Sequence, residues 1–497
     1  MADPGQPPAQ PAEEPAAEPA ASNTQGNTEP GPSVEVAEYF DFQQAYDAVK
    51  DKRLRVQTVQ LTGLERTRRY IVERELRRLE QARTLDEIKD ALLDVQAALE
   101  ELGVFEAVEL IIDEGDTPGT CTVVVNLHES GPLKLHTGTY IQGTEGSLEL
   151  SVGLVNLLGT AETINVSVEY GTQSSNEYSL VLHKPRIYGK DLNAELAIHQ
   201  LFRSQRPYSS FTEKLRGGMA SLGTDDGVHM LNYELAWRQI TADPANVASH
   251  HVRRQAGNHL KSALKYIFRH TTFDDLDYPL TGYGFRSSTE VAGVGLDPKL
   301  LRFAKQQLTG QWVTLLWGST VLTLAADVGV MLPWGPGWQK RQTCIADRFF
   351  LGGAASLRGF QAKGVGPTDA RHVPAAEDLA EGDEPSTIKR DALGGDLYCS
   401  LLAAIRFELP HPALRQAGIY GHAFVNGGNL ALLSGVKRSL RDSVNNFATT
   451  FRWSTGVGLV WPTKLGNFEV NFCRVLSYQP YDRPQIGFQF GFAPRPW

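Results

Sequence analysis

Two kinds of hydrophobic pattern divide the chain. Leu54 to Leu61 reads as a short strand closed by Gly63. Val72, Leu76 and Leu79 then share one face of a predicted helix. A second helix opens at Thr84-Leu85-Asp86-Glu87, where threonine followed three residues later by glutamate is a capping box. Ile88, Leu92, Val95, Leu99 and Leu102 continue it at three-four spacing until Gly103. Residues 105–113 and 121–129 alternate as two strands around the turn Gly115-Asp116-Thr117-Pro118-Gly119. The order strand, helix, helix, strand, strand predicts a small α+β domain, placed at 40–131, with its helices on one face of its sheet. Its open sheet edge offers an extended peptide a place to add as a strand.

Beyond Pro132 the helical period disappears and alternation takes over. From Thr163 to Tyr170 the even positions are apolar and the odd ones polar. Tyr178, Leu180 and Leu182 keep the same code, as do Leu192, Ala194, Leu196 and Ile198. Phe468, Val470 and Phe472 alternate with Asn467, Glu469 and Asn471, and Ile486, Phe488, Phe490 and Phe492 with Gln485, Gly487, Gln489 and Gly491. A soluble sandwich has to hide every apolar face against a second sheet, whereas a barrel in lipid turns those faces outward. Many segments are near the length of about 9–11 residues that a tilted strand needs to cross a bilayer, and no apolar run approaches the roughly 20 residues of a membrane helix. Tyr278, Tyr283, Trp453, Trp461, Tyr478, Tyr481 and Trp497 fall near predicted strand ends, where an interfacial belt lies. Residues 132–497 are therefore expected to form a membrane β-barrel, closed because an open edge in lipid leaves backbone groups without partners.

Charge changes the picture at the N-terminus. The chain carries a formal −9, and residues 1–49 hold nine acids with no Lys or Arg, so the remainder is formally neutral. A neutral body has no broad basic field and is not expected to bind nucleic acid. Residues 1–33 contain eight prolines among Ala, Glu, Gln and Ser, and residues 1–39 read as a disordered acidic tail. That start is unlike a secretory signal or a basic transit peptide. Cys121, Cys344, Cys399 and Cys473 lie too far apart for a zinc or disulfide pattern. The glycine-rich stretch near Phe349 lacks a G-K-[ST] ending, and neither G-x-S-x-G nor H-E-x-x-H occurs. The neighbouring His250 and His251 read as solvent-exposed loop residues. No catalytic residue, cofactor or metal site is expected.

One stretch stands apart: Phe349-Phe350-Leu351-Gly352-Gly353-Ala354-Ala355-Ser356-Leu357-Arg358-Gly359-Phe360, followed by Gly364-Val365-Gly366-Pro367. It is joined by Leu393-Gly394-Gly395-Asp396, by residues 424–430, and by Thr455-Gly456-Val457-Gly458 leading to residues 467–473. In these residues the chain resembles the BamA superfamily of outer-membrane barrel insertases, and within it the mitochondrial sorting and assembly branch, over roughly residues 50–497.

The resemblance implies one POTRA domain before a barrel of about 16 antiparallel strands whose first and last strands meet at a weak seam. It implies that a sixth loop, at about 351–393, folds back into the lumen, with Leu357, Arg358, Gly359 and Phe360 as a clasp on the inner wall. A guanidinium suits that task because its fixed fork of donors engages several acceptors at once. Many relatives carry F-x-D-x-G on the facing strand where this chain has Phe424-Val425-Asn426-Gly427-Gly428, so Asn426, Glu408 and Glu469 are the candidate partners of Arg358. The seam is expected between Gly138, Thr139, Tyr140 and Ile141 of the first strand and Gln485, Gly487, Phe488, Phe490 and Phe492 of the last. The last strand fits the polar-x-Gly-x-x-hydrophobic-x-hydrophobic signal of mitochondrial barrel substrates.

The implied function is insertion and folding of β-barrel precursors into the mitochondrial outer membrane, templated at that seam. The alternative is a chloroplast-envelope or bacterial relative acting as a polypeptide-translocating pore. Implied partners are unfolded barrel precursors, membrane lipid, and accessory subunits on the cytosolic side, within reach of the acidic loop Thr368 to Arg390. The POTRA domain and the tail are expected in the intermembrane space.

Overall fold

The computed structural model describes residues 50–497, apart from 143–144, 173–174, 244–247, 277, 296, 298–299, 336–341, 373–389, 434–439, 464–465 and 494–497. The predicted tail at 1–39, the first part of the predicted front domain at 40–49, most of the acidic loop and Trp497 lie outside the described residues.

The front domain is built from β1 (Arg55–Thr62), α1 (Arg69–Leu76), α2 (Leu85–Glu101), β2 (Phe105–Glu114) and β3 (Thr120–Glu129). Its sheet has the order β1-β3-β2, with β1 parallel and β2 antiparallel to β3. The parallel pair follows from the two helices, which carry the chain back across the sheet before β2 begins. Thr84 caps α2 by accepting the Glu87 N–H at 3.3 Å, while the Glu87 carboxylate takes the Arg83 N–H at 2.7 Å, one residue before its place in an ideal capping box. Val72, Ile88, Val95 and Leu99 are fully buried against Val123, Val125 and Leu127 of β3. Each contributes about 1.5–3 kcal/mol by leaving water.

The rest of the chain forms one antiparallel sheet of 16 strands. Its first half comprises β4 (Leu133–Gln142), β5 (Glu145–Val155), β6 (Thr163–Gly171), β7 (Asn176–Lys184), β8 (Leu192–Ser204), β9 (Phe211–Thr224), β10 (His229–Ala242) and β11 (Gly257–Thr271). It continues with β12 (Gly282–Ala292), β13 (Phe303–Trp317) and β14 (Thr320–Pro333). A small hairpin of β15 (Thr368–Ala370) and β16 (Arg390–Ala392) stands outside the sheet. The sheet resumes with β17 (Leu397–Glu408), β18 (Tyr420–Ala431), β19 (Arg452–Thr463), β20 (Gly466–Ser477) and β21 (Gly487–Ala493).

Each strand pairs with its sequence neighbour in the sheet, and β14 pairs with β17 across the long loop. The alternation read from the sequence is the pleat: Leu231, Tyr233, Leu235 and Trp237 of β10 are exposed outward, while Ala236 and Arg238 are buried on the inner side. The two ends of the order, β4 and β21, approach within 8 Å by Cα position, yet no ladder joins them among the described residues. The sheet is thus rolled up with its edges side by side.

The front domain rests on the turns at one end of this roll. Asn156 Nδ2 donates to Thr67 Oγ1 at 2.7 Å, and the Arg68 N–H donates to the Gly159 carbonyl at 2.8 Å. Val155 and Ala161 join the domain's own core. Arg186, in the turn between β7 and β8, is buried and holds Glu75 of α1, Glu101 of α2 at 3.1 Å and Asp225 of the β9–β10 turn at 3.0 Å. Glu129, at the end of β3, accepts the N–H groups of Thr67 at 2.7 Å, Arg66 at 3.1 Å and Glu65 at 3.2 Å. Burial works to raise the Glu129 carboxyl, but the Thr67 hydroxyl and these amides outweigh it and hold the group below the usual carboxylate range.

Candidate functional site

The long loop between β14 and β17 folds back against the inner wall. Phe349 bridges to Gly395 and Leu351 to Val365, which closes the loop into a compact tongue. Leu357 and Phe360 are fully buried and pack with Leu351, Val365, Tyr398 and Leu430. The Phe349 ring stacks on Tyr398 at 5.3 Å. Gly359 sits at φ 84°, and a Cβ there would lie 3.0 Å from the Cβ of Ser454, so both its conformation and its closeness to the wall require glycine.

Arg358 is the centre of the tip. Its Nε and Nη2 donate to the two carboxylate oxygens of Glu469 at 2.8 and 2.7 Å, a bidentate pair on β20. Its guanidinium lies 5.2 Å from the centre of the Phe424 ring. Glu469 in turn accepts from Asn471 Nδ2 at 2.9 Å, and Asn471 Oδ1 meets His422 Nε2 at 2.6 Å. Asn426 engages the backbone of Arg358 instead of its side chain. With its amide turned to satisfy its neighbours, it accepts the Arg358 N–H at 2.6 Å and donates to the Ser454 carbonyl at 3.1 Å. The Ser454 hydroxyl donates to the Arg358 carbonyl. Glu408 lies elsewhere: it is exposed near the end of β17 and 3.9 Å from Arg415.

The tip also holds the last strand. Gln489 Oε1 accepts the Gly359 N–H at 3.0 Å, and Gln489 Nε2 donates to the Phe360 carbonyl at 2.8 Å. One side-chain amide thereby takes the place of a peptide group against the loop. Alternation along the last strand puts Gln489 on the inner face. Alternation sets the face and leaves the partner open.

A second anchor holds the stem of the loop. Asp347 is buried between Arg238 of β10 at 2.7 Å and Lys261 of β11 at 3.7 Å, and its carbonyl accepts from Lys305 Nζ of β13 at 2.7 Å. Glu213 of β9 and Glu290 of β12 complete the network, at 2.7 Å from Arg238 and 2.8 Å from Lys261. Arg348 donates to the Leu393 carbonyl at 3.0 Å and faces His251 at 3.3 Å. His251 is therefore half-buried against the loop, a correction to the solvent-exposed pair read from the sequence; His250 alone is exposed. At the hairpin, Asp391 is fully buried and accepts the N–H groups of Ser210 and Ser249, each at 2.9 Å.

The expected seam residues lie on the two edges. Gly138, Thr139, Tyr140 and Ile141 pair with Glu149, Leu148, Ser147 and Gly146 of β5, and their other side carries no ladder among the described residues. On the far edge the strand starts later than the sequence reading placed it. Gly487 is left-handed at φ 99° and opens β21, while the Gln485 N–H donates to the Gly359 carbonyl at 2.8 Å instead of joining the sheet. Phe488 and Phe490 are exposed on the outer face, Phe488 edge-on to Phe472 at 5.4 Å, and Phe492 pairs with Phe468 in the ladder. No group of acidic, histidine or cysteine side chains suited to a metal occurs among the described residues.

A sixteen-stranded roll with an α+β domain on its entry turns and a glycine-rich arginine loop pinned inside defines one class of protein. The Omp85 superfamily domain matches residues 156–495, and the chain belongs to that superfamily. Among its relatives, the sorting and assembly machinery component 50 homolog of Bos taurus is 31% identical over 92% of this chain and 94% of its own. The outer membrane protein assembly factor BamA of Neorickettsia risticii is 26% identical over 87% of this chain and 54% of its own. In fold, the chain is similar to BamA from Haemophilus ducreyi lacking POTRA domains 1–3, with a TM-score of 0.70 at 17% identity over 88% of this chain and 84% of that one.

Proposed function

We propose that this protein assembles β-barrels, inserting and folding barrel precursors in the mitochondrial outer membrane, a reading supported by relatives named as a sorting and assembly machinery component and as an outer membrane protein assembly factor. The observation that supports the reading is the pair of sheet edges lying side by side with no ladder between them among the described residues. An edge of β4 with free N–H and C=O groups is a template on which a precursor's signal strand forms by β-augmentation. Growth strand by strand keeps backbone groups paired while the precursor enters lipid. β21 is the edge that yields, because among the described residues its ladder to β20 spans Gly487–Ala493 and its inner side hangs on Gln489 and the loop tip.

In this reading Leu357, Arg358, Gly359 and Phe360 form the clasp, with Glu469 as partner of the arginine and Asn426 as partner of its backbone. The front domain is a POTRA domain that faces the intermembrane space and receives precursors at the mouth of the barrel. The opposite rim, with the acidic loop, faces the cytosol and accessory subunits. The protein has no catalytic chemistry to perform. A translocating pore, as in chloroplast-envelope or bacterial relatives, fits less well with a lumen in which Leu357 and Phe360 are packed against the wall.

Proteoliposomes holding the full chain test the reading. A barrel precursor diluted from urea is expected to reach its compact, heat-modifiable form faster on them than on protein-free liposomes. Equal rates contradict the assembly reading, and precursor accumulating inside the vesicles supports the pore.

A further inference from the structure

One guanidinium on the outer face stands without a partner among the described residues, whereas Arg216 of β9, outward beside Trp237, donates to Gln200 at 2.8 Å. The outward positions of β20 are Phe468, Val470, Phe472, Arg474 and Leu476, and Arg474 is exposed with no hydrogen bond or ion pair among the described residues. It stands opposite Thr455 of β19, one residue beyond the Cys473–Gly487 pair that ends the ladder to β21. This is the barrel end away from the front domain, since consecutive strands alternate in direction from the start of β4.

From Arg474 a recess of about 470 Å³ runs over the outer wall. Ala403 and Ala423 are the small outward residues that leave it open, Val457 and Phe472 flank it, and Arg474 is its only charged lining residue. Past Ala403 and Val425 it continues into a second recess of about 630 Å³, lined by Trp312 and Leu324 among others and without any charged residue. Both volumes fall in the range of about 300–1,000 Å³ typical of small-ligand sites. The ladders connect Arg474, Thr455, Val425, Ala403, Leu324 and Trp312 into one outward row. The row ends in the half of β13 nearer the front domain, so on tilted strands it descends across the wall.

A cation on a barrel's lipid face is most costly at the bilayer centre and nearly free near the interface, where a long side chain reaches the headgroups. A guanidinium there matches phosphate oxygens with its fork of donors. A cation at headgroup level with an uncharged trough leading away from it is the shape of a phospholipid. We propose that Arg474 and this trough bind one anionic phospholipid beside the last strand, its phosphodiester on the guanidinium and an acyl chain in the recess. The site requires only that the barrel be embedded in lipid, and it stands independently of the assembly function.

The test uses the full chain, delipidated in detergent and titrated with phosphatidylglycerol or phosphatidylcholine under native mass spectrometry. One phosphatidylglycerol is expected to bind in preference to phosphatidylcholine. Arg474→Gln should weaken it about tenfold, and Ala403→Phe, which fills the trough and leaves the guanidinium, should weaken it as well. Heat-modifiability of both variants shows that each still folds. Equal binding by the wild type and both variants overturns the proposal. So does competition by inorganic phosphate as strong as that by the lipid, or a dimer that dissociates on Arg474→Gln while no lipid is retained.

Discussion

Arg358 is held by side chain and backbone together, and the two attachments differ in what they cost to lose. The bidentate pair with Glu469 is nearly buried, so removing one partner strands a charge in the wall. Arg358→Ala should therefore destabilise the barrel by about 3–5 kcal/mol, read as a lower temperature of heat modification, whereas the double change Arg358→Met with Glu469→Leu should recover most of that loss. Equal loss in the single and double variants would contradict a pairing role. Gly359→Ala is expected to destabilise as well, through its left-handed φ and its contact with Ser454.

Glu129 has a pH signature. Its folded-state pKa lies below the ordinary value, so its contribution is present above about pH 4.3 and fades as pH falls through the folded value. Amide exchange of Glu65, Arg66 and Thr67 should quicken on acidification relative to the core of α2, and Glu129→Gln should remove that difference. At this scale the sequence offered three partners for Arg358 and no choice among them. Alternation tells which face a residue takes but not its height in the barrel, and Glu408 lies near the end of its strand while Glu469 lies level with the loop tip.

At the scale of elements, the loop has two anchors on opposite parts of the wall. Its stem is tied through Asp347 to β10, β11 and β13, and its tip through Arg358, Gly359 and Phe360 to β18, β19, β20 and β21. The glycine-rich motif made the tip legible because its composition is unusual; the stem was not, since Arg238, Lys261 and Lys305 are ordinary inward residues until the loop supplies Asp347. The last strand is the weakly held element. Its amides should exchange faster than those of β13 and β14, which pair over most of their length on both sides. Comparable protection would contradict an edge able to open. The front domain is the opposite case: Arg186→Ala should free it from the turns, seen as easier proteolysis before β4, because three carboxylates lose their shared cation.

For the whole molecule, strand alternation made the barrel readable, and helical spacing with a capping box made the front domain readable. Neither pattern encodes how the roll closes, because the edge residues of β4 and β21 alternate like those of any other strand. The meeting of those edges is a property of strand number, tilt and the loop that fills the lumen. That meeting is also the centre of the functional account.

The most direct test is disulfide crosslinking during assembly. A single cysteine at Ile141, with Cys121, Cys344, Cys399 and Cys473 replaced, is paired with cysteines placed along the signal strand of an arrested precursor. Crosslinks are expected at one register, with partners stepping along the strand as the cysteine moves to Thr139. Full assembly of the precursor with no crosslink at any register, from either position, would contradict templating at the seam.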